Sequence, residues 1–215
     1  MGTRAGAGDR GARLGAPSPR RPLGGWLALL VLFALITVTV ELGWWRGLDT
    51  NVNEWAATQR GTVPWHASKV VFDLATPEIA LTVTLALALS VGWWRHSWGI
   101  VADAAIRIGV VVASVLLLKP LLAVPGPTRD ALGDHGGSFP SGHTTSTVVC
   151  VALLLAWVGR PRSDTGRAGA AALVAATVGV AVIYVRYHYV SDVVGGIVLG
   201  LVVALMPLPA RRGAD

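Results

Sequence analysis

The chain has 215 residues, 53% of them hydrophobic and only 14% charged, with a formal net charge of +6. A soluble domain carries about a quarter charged residues, so this composition excludes an ordinary soluble enzyme and places the chain among integral membrane proteins. In that setting the positive balance reads as arginine flanking apolar spans and setting their orientation, not as a nucleic-acid surface.

Residues 1–25 are rich in Gly, Ala, Pro and Arg and show no apolar period. They are expected to form a disordered cytoplasmic tail. The apolar run from Trp26 ends at "ELGWWRG" without a small-x-small cleavage site, which points to an uncleaved signal anchor. Six segments are apolar enough to span, given that about 20 residues cross the hydrocarbon core. They cover 26–45, 77–95, 99–119, 143–159, 168–187 and 190–208. The fold expected is therefore all-α, a polytopic bundle of six transmembrane helices over residues 26–208, followed by a short cytoplasmic tail at 209–215. Residues 46–76 are more polar and are expected to form short interfacial helices. The fifth and sixth spans are nearly continuous, so a tight break must fall near His188. Trp26, Trp44, Trp45, Trp93, Trp94 and Trp98 sit at span ends, as interfacial aromatic belts do.

With six spans, the arginine-rich tail, Arg95, the 160–167 loop and Arg211 and Arg212 fall on one side. By the positive-inside rule that side is the cytoplasm. Residues 46–76, the loop 120–142 and the break near His188 then face away from it. Asp103 and Arg107 lie four apart inside the third span. Charges in a membrane are costly and commonly functional, but this spacing lets the two satisfy one another, and a structural ion pair is the preferred reading. The single cysteine, Cys150, excludes an intrachain disulfide and reads as a small buried hydrophobe.

Three polar islands share the extracytoplasmic edge: "LKPLLAVPGPTRD" with Lys119, "SFPSGH" at the head of the fourth span, and "VRYHYVSD" between the last two. Singly each is unremarkable, as a snorkelling lysine, a loop histidine or a helix cap. Together they carry chemistry. His188 and Asp192 are four apart, so the carboxylate can hold one imidazole nitrogen and leave the other free to attack. Pro140 forces Phe139 into an extended conformation. Ser141 and Gly142 then open a helix whose free N–H groups suit an anion, with phosphate the usual guest. Gly142 lacks a Cβ and would permit close approach. His143 is placed to donate a proton, and Lys119 adds positive charge. The set reads as nucleophile, acid and phosphate cradle, with no metal and no cofactor.

The order Lys119, then Pro140-Ser141-Gly142-His143, then His188-x-x-x-Asp192 resembles the type 2 phosphatidic acid phosphatase family of membrane lipid phosphatases. Two positions depart from that family's pattern. Gly126 and Val182 stand where phosphate-clamping arginines are expected, and Ala181 replaces the serine beside the second. Arg129, three residues after Gly126, and Arg186, one helical turn after Val182, are the candidates to compensate. The resemblance implies His188 as the nucleophile that becomes a phosphohistidine, Asp192 as its orienting base, and His143 as the acid for the leaving alcohol. It also implies Lys119 and the backbone at Ser141 and Gly142 as ligands of the nonbridging oxygens. His135 in the preceding loop reads as a solvated histidine. The implied activity is hydrolysis of a lipid or isoprenoid phosphate or diphosphate at the outer face of a bacterial plasma membrane. The alternatives are a lipid phosphotransferase on the same scaffold and a catalytically inactive lipid-phosphate-binding protein. The oligomeric state is left open, since Gly- and Ala-rich faces such as "GVVVASV" and "GGIVLG" permit close packing within or between chains.

Overall fold

A computed structural model describes residues 23–128, 136–159 and 163–208. Among them the chain forms eight α-helices and no strand. They are α1 Leu23–Glu41, α2 Arg46–Thr58, α3 Val63–Leu74, α4 Pro77–Trp94, α5 Trp98–Leu122, α6 Gly142–Val158, α7 Asp164–Tyr184 and α8 Val190–Leu205. The all-helical class expected from the sequence is what forms. Helix α1 starts three residues ahead of Trp26 and stops at Glu41, where a turn with Gly43 in the left-handed region leads into α2. Of the two expected tails, 1–25 and 209–215, residues 1–22 and 209–215 lie outside the described residues, and residues 23–25 are not tail but the first residues of α1.

Four helices are long and apolar enough to cross a membrane: α1, α4, α5 and α7. The six-span expectation therefore meets four helices of spanning length and two shorter apolar ones, α6 with 17 residues and α8 with 16. These shorter helices form the centre of the molecule. Helix α6 packs against α4, α5, α7 and α8, and residues 142–150 of it are buried. The longer helices surround it and expose leucine and valine outward, as on α1. That pattern suits lipid, which supplies no apolar driving force between helices, so the packing relies on close backbone approach.

Small residues provide that approach. On α7 the buried positions Ala168, Ala171, Ala175, Val178 and Val182 recur every three or four residues, forming one stripe. Helix α8 presents Gly195, Gly196 and Gly200. A Cβ at Gly196 would collide with the Thr144 hydroxyl and lie 2.6 Å from the Ser141 carbonyl oxygen, so only glycine lets α8 lie this close to α6. Of the hydroxyls that follow His143, those of Thr144 and Thr145 serve the same contact, and the next two bond back within α6. Thr145 Oγ1 donates to the carbonyls of Ser141 at 2.8 Å and Gly196 at 3.0 Å, and Thr147 Oγ1 donates to that of His143 at 2.7 Å. Each of the hydroxyls from Thr144 to Thr147 thus keeps a partner, which avoids a cost of about 1–3 kcal/mol per orphaned group. An apolar cluster of Leu81, Ala88, Ala104, Val111, Val149, Cys150, Leu153 and Val203 joins α4, α5, α6 and α8. Cys150 is buried and free, as its apolar surroundings in the sequence imply.

The 46–76 segment folds as two helices, α2 and α3, with Thr62 capping α3. The connection between α7 and α8 is a turn at residues 185–189, where the sequence places a break. One end of the bundle gathers Arg95, Arg107 and Arg167. Arg95 donates to the Trp157 carbonyl at 2.9 Å, and Arg107 reaches the end of α8. The other end gathers Lys119, Ser141, His143 and the His188 turn.

Candidate active site

The end of α5, the head of α6 and the turn before α8 meet around one cavity of about 500 Å³. Lys119, Gly142, His143, Tyr187 and His188 form its polar part, together with Thr76, Glu78 and Thr82 at the start of α4. Leu81 and Leu85 of α4 and Ile108, Val111, Val115 and Leu116 of α5 form its apolar wall. A volume in this range holds a small ligand or part of a lipid.

His188 follows a helix end of recognisable type. The Tyr187 N–H donates to the Val182 carbonyl, and the Arg186 N–H donates to that of Ile183, with Arg186 at φ +60°. This is a Schellman arrangement with arginine in the left-handed position that glycine commonly takes. The chain then turns at once into α8, which puts Asp192 in the first turn. His188 Nδ1 lies 3.2 Å from Asp192 Oδ2. The same carboxylate accepts from the Tyr189 N–H at 2.9 Å and, through Oδ1, from Ser138 Oγ at 3.2 Å. Asp192 is fully buried, so these three partners offset the cost of desolvating it. They also fix the ring: with Nδ1 facing the carboxylate, Nε2 of His188 points away from Asp192 and has no protein partner.

His143 sits one residue into α6. Its ring stacks on Phe72 of α3 at 4.9 Å and meets Tyr187 edge-on at 5.4 Å. Its Nε2 is also buried without a partner. The His143 and His188 rings are 5.8 Å apart, centroid to centroid, at 71°. Two orphaned imidazole nitrogens beside a lysine on one cavity are expensive in an apolar bundle, since each unpaired buried polar group costs about 1–3 kcal/mol. Such groups mark sites where a ligand completes the bonding.

The structure brings Lys119, Gly142, His143, His188 and Asp192 together and modifies other expectations. The Ser141 N–H does not face the cavity. It donates to the Asp192 carbonyl at 3.0 Å, tying the head of α6 to the head of α8, and the buried Ser141 hydroxyl has no partner. The N–H groups of the first turn of α6 remain the ones without intrahelical acceptors. A Cβ at Gly142 would meet Pro77 at 3.4 Å, an ordinary contact, so glycine there is not enforced by crowding from the protein. Arg186 does not continue the face of Val182. The helix ends at Tyr184, and Arg186 lines a separate cavity with Thr50, Asn53, Gly126 and Tyr189. Val182 is buried against Val178 and Val193. Arg129 and His135 lie outside the described residues. Asp103 and Arg107 do form an ion pair, 3.0 Å long, at the opposite end of α5.

Sequence reasoning passed over Asp49, Asn53, Phe72 and Ser138. The Asp49 carboxylate on α2 is buried, which pushes its pKa above the ordinary range, and it accepts from Ser191 on α8. Only the clustering of polar residues at 46–58 hinted at it.

A membrane helical bundle with a buried histidine pair, one ring held by a carboxylate and both facing an apolar cavity, defines the class. The chain belongs to the PAP2 superfamily, whose pattern residues 66–212 match. The crystal structure described as the first transmembrane PAP2 type phosphatidylglycerolphosphate phosphatase from Bacillus subtilis superimposes with a TM-score of 0.70. The match covers 83% of this chain and 91% of that one, at 19% identity. At that identity the likeness establishes the fold, that of a PAP2-type membrane phosphatase. A search of curated proteins returns no match.

Proposed function

We propose that the protein hydrolyses a lipid or isoprenoid phosphate or diphosphate at the extracytoplasmic face of the membrane through a phosphohistidine at residue 188. The observation that carries this reading is the pair of unpartnered Nε2 atoms, His143 and His188, on a cavity that also holds the Lys119 side chain and is apolar along its wall. The phosphate would lie between the rings and the Lys119 ammonium, with the lipid tail along α4 and α5.

Asp192 stabilises the positive charge that grows on the His188 ring as Nε2 attacks phosphorus. The bond from phosphorus to the leaving oxygen breaks, and His143, protonated once the anionic phosphate lies beside it, gives its proton to that oxygen, which leaves as an alcohol or, from a diphosphate, as a monophosphate. His143, now neutral, takes a proton from water as that water attacks the phosphohistidine. The P–N bond breaks, inorganic phosphate leaves and His188 is restored. Lys119 and the first-turn amides of α6 are placed to neutralise the nonbridging oxygens, where charge gathers. Arg186 points into a different cavity and has no part in this reading. For Arg129 the proposed role as a phosphate ligand rests on its spacing in the sequence alone.

Two arguments support the sidedness. Arg95, Arg107 and Arg167 crowd the end of the bundle away from the histidines, and arginine-rich ends stay in the cytoplasm. The tryptophans at the α4–α5 turn are exposed on that same end. We also propose that α6 and α8, although short, span the bilayer as the buried pair of a six-helix set.

The test is direct. Purified protein offered lipid phosphates should release inorganic phosphate, and His188→Ala should retain less than about a thousandth of that rate. Release only in the presence of an acceptor alcohol would indicate a phosphotransferase. No turnover, with lipid phosphate still bound, would indicate a binding protein.

A further inference from the structure

The turn that presents His188 is held from both sides by α2, a helix that lies outside the family match. On the upstream side Arg186 adopts a left-handed conformation, which costs a non-glycine residue on the order of 1 kcal/mol. Its Nε donates to Asn53 Oδ1 at 2.9 Å. On the downstream side Ser191, in the first turn of α8, donates twice to Asp49. Its N–H reaches Oδ1 at 3.1 Å, and its hydroxyl reaches Oδ2 at 2.6 Å. Asp49 and Asn53 are four apart, so they project from one face of α2. Asp49 is buried, while most of α2 is polar and exposed or half-exposed. A carboxylate is desolvated only where its bonds offset the cost. Here it also meets the positive end of the α8 dipole.

Both contacts flank His188 and neither touches the cavity. Ser191 is adjacent to Asp192, whose Oδ2 orients the His188 ring. A shift of that first turn would rotate Asp192 and carry His188 Nε2 away from His143. We propose that Asp49 is a positioning residue, which through Ser191, and with Asn53 gripping Arg186, holds the His188 turn in attacking geometry. This inference rests on the reading of His188 as nucleophile.

The experiment uses the full-length protein in detergent, with phosphatidic acid as the probe. Asp49→Ala should lower kcat for phosphate release about tenfold or more. KM should stay within about twofold, because the cavity wall is untouched. Asp49→Asn keeps an acceptor oxygen and should recover part of the loss. An unchanged kcat, or a change confined to KM, overturns the proposal. Amide hydrogen exchange gives a reading that needs no turnover. In Asp49→Ala the Ser191 N–H should exchange faster while amides in the middle of α6 keep their protection. Unchanged Ser191 protection, or loss of protection throughout, overturns the positioning role. If the unmutated protein releases no phosphate from any lipid phosphate, the phosphatase reading fails, and the exchange data still decide whether Asp49 holds the turn.

Discussion

Helix α5 carries a buried cation toward each end, and the surroundings of the two differ. Arg107 and Lys119 are 12 positions apart, about 18 Å along the helix. Arg107 is saturated. It pairs with Asp103 at 3.0 Å and donates to the carbonyls of Val203, Ala204 at 3.0 Å and Met206 at 3.2 Å, closing the C-terminus of α8. The cavity beside it is about 40 Å³. At the Lys119 end, no side chain among the described residues hydrogen-bonds the ammonium, although Glu78 shares its cavity; two imidazole nitrogens lack partners, and the cavity is about 500 Å³. Buried charge alone therefore does not mark a site in this bundle. What separates the ends is whether hydrogen-bonding capacity is used up within the protein or left facing a space.

Three substitutions sharpen or break this contrast. Arg107→Ala should cost about 3 kcal/mol of stability, chiefly because it orphans the last carbonyls of α8, while the partly exposed Asp103 carboxylate can turn to solvent. Unfolding in a denaturing detergent would measure it, and kcat per folded molecule should hold. Normal stability with lost turnover would reverse the assignment of the two ends. Lys119→Ala should leave unfolding unchanged or improve it, and lower kcat/KM about a hundredfold by removing charge from the phosphate. Ser138→Ala deletes one of three bonds to Asp192 and should reduce kcat only about fivefold, near 1 kcal/mol. A loss as large as that of Lys119→Ala would mean that Ser138 touches substrate.

The motif-bearing residues were legible because their chemistry is local. His188 and Asp192 meet through helical spacing, and the Pro-Ser-Gly-His step lies at a helix start that the sequence signals. The break near His188 was legible because two apolar runs would otherwise fuse. What could not be read depends on contacts distant in the chain. Asp49 reaches Ser191 across 142 positions, and Ser138 reaches Asp192 across 54. In sequence, α2 is a polar stretch like any surface helix, and one buried carboxylate leaves no period. Arg186 was misplaced for a different reason. The local sign for a left-handed helix end is glycine, and here arginine occupies it, so the helix seemed to run one turn too far. Thr144 and Thr145, just after His143, serve packing between α6 and α8, a contact no local pattern announces.

The central claim, that His188 Nε2 takes the phosphoryl group, is tested most directly by trapping. The protein would be mixed with a phosphate-labelled lipid, quenched in base, where phosphohistidine survives, and mapped by mass spectrometry. The account predicts a phosphoryl adduct on His188, absent from His188→Ala and prolonged in His143→Ala. Steady phosphate release with no adduct on His188, or with the adduct on another residue, would contradict it.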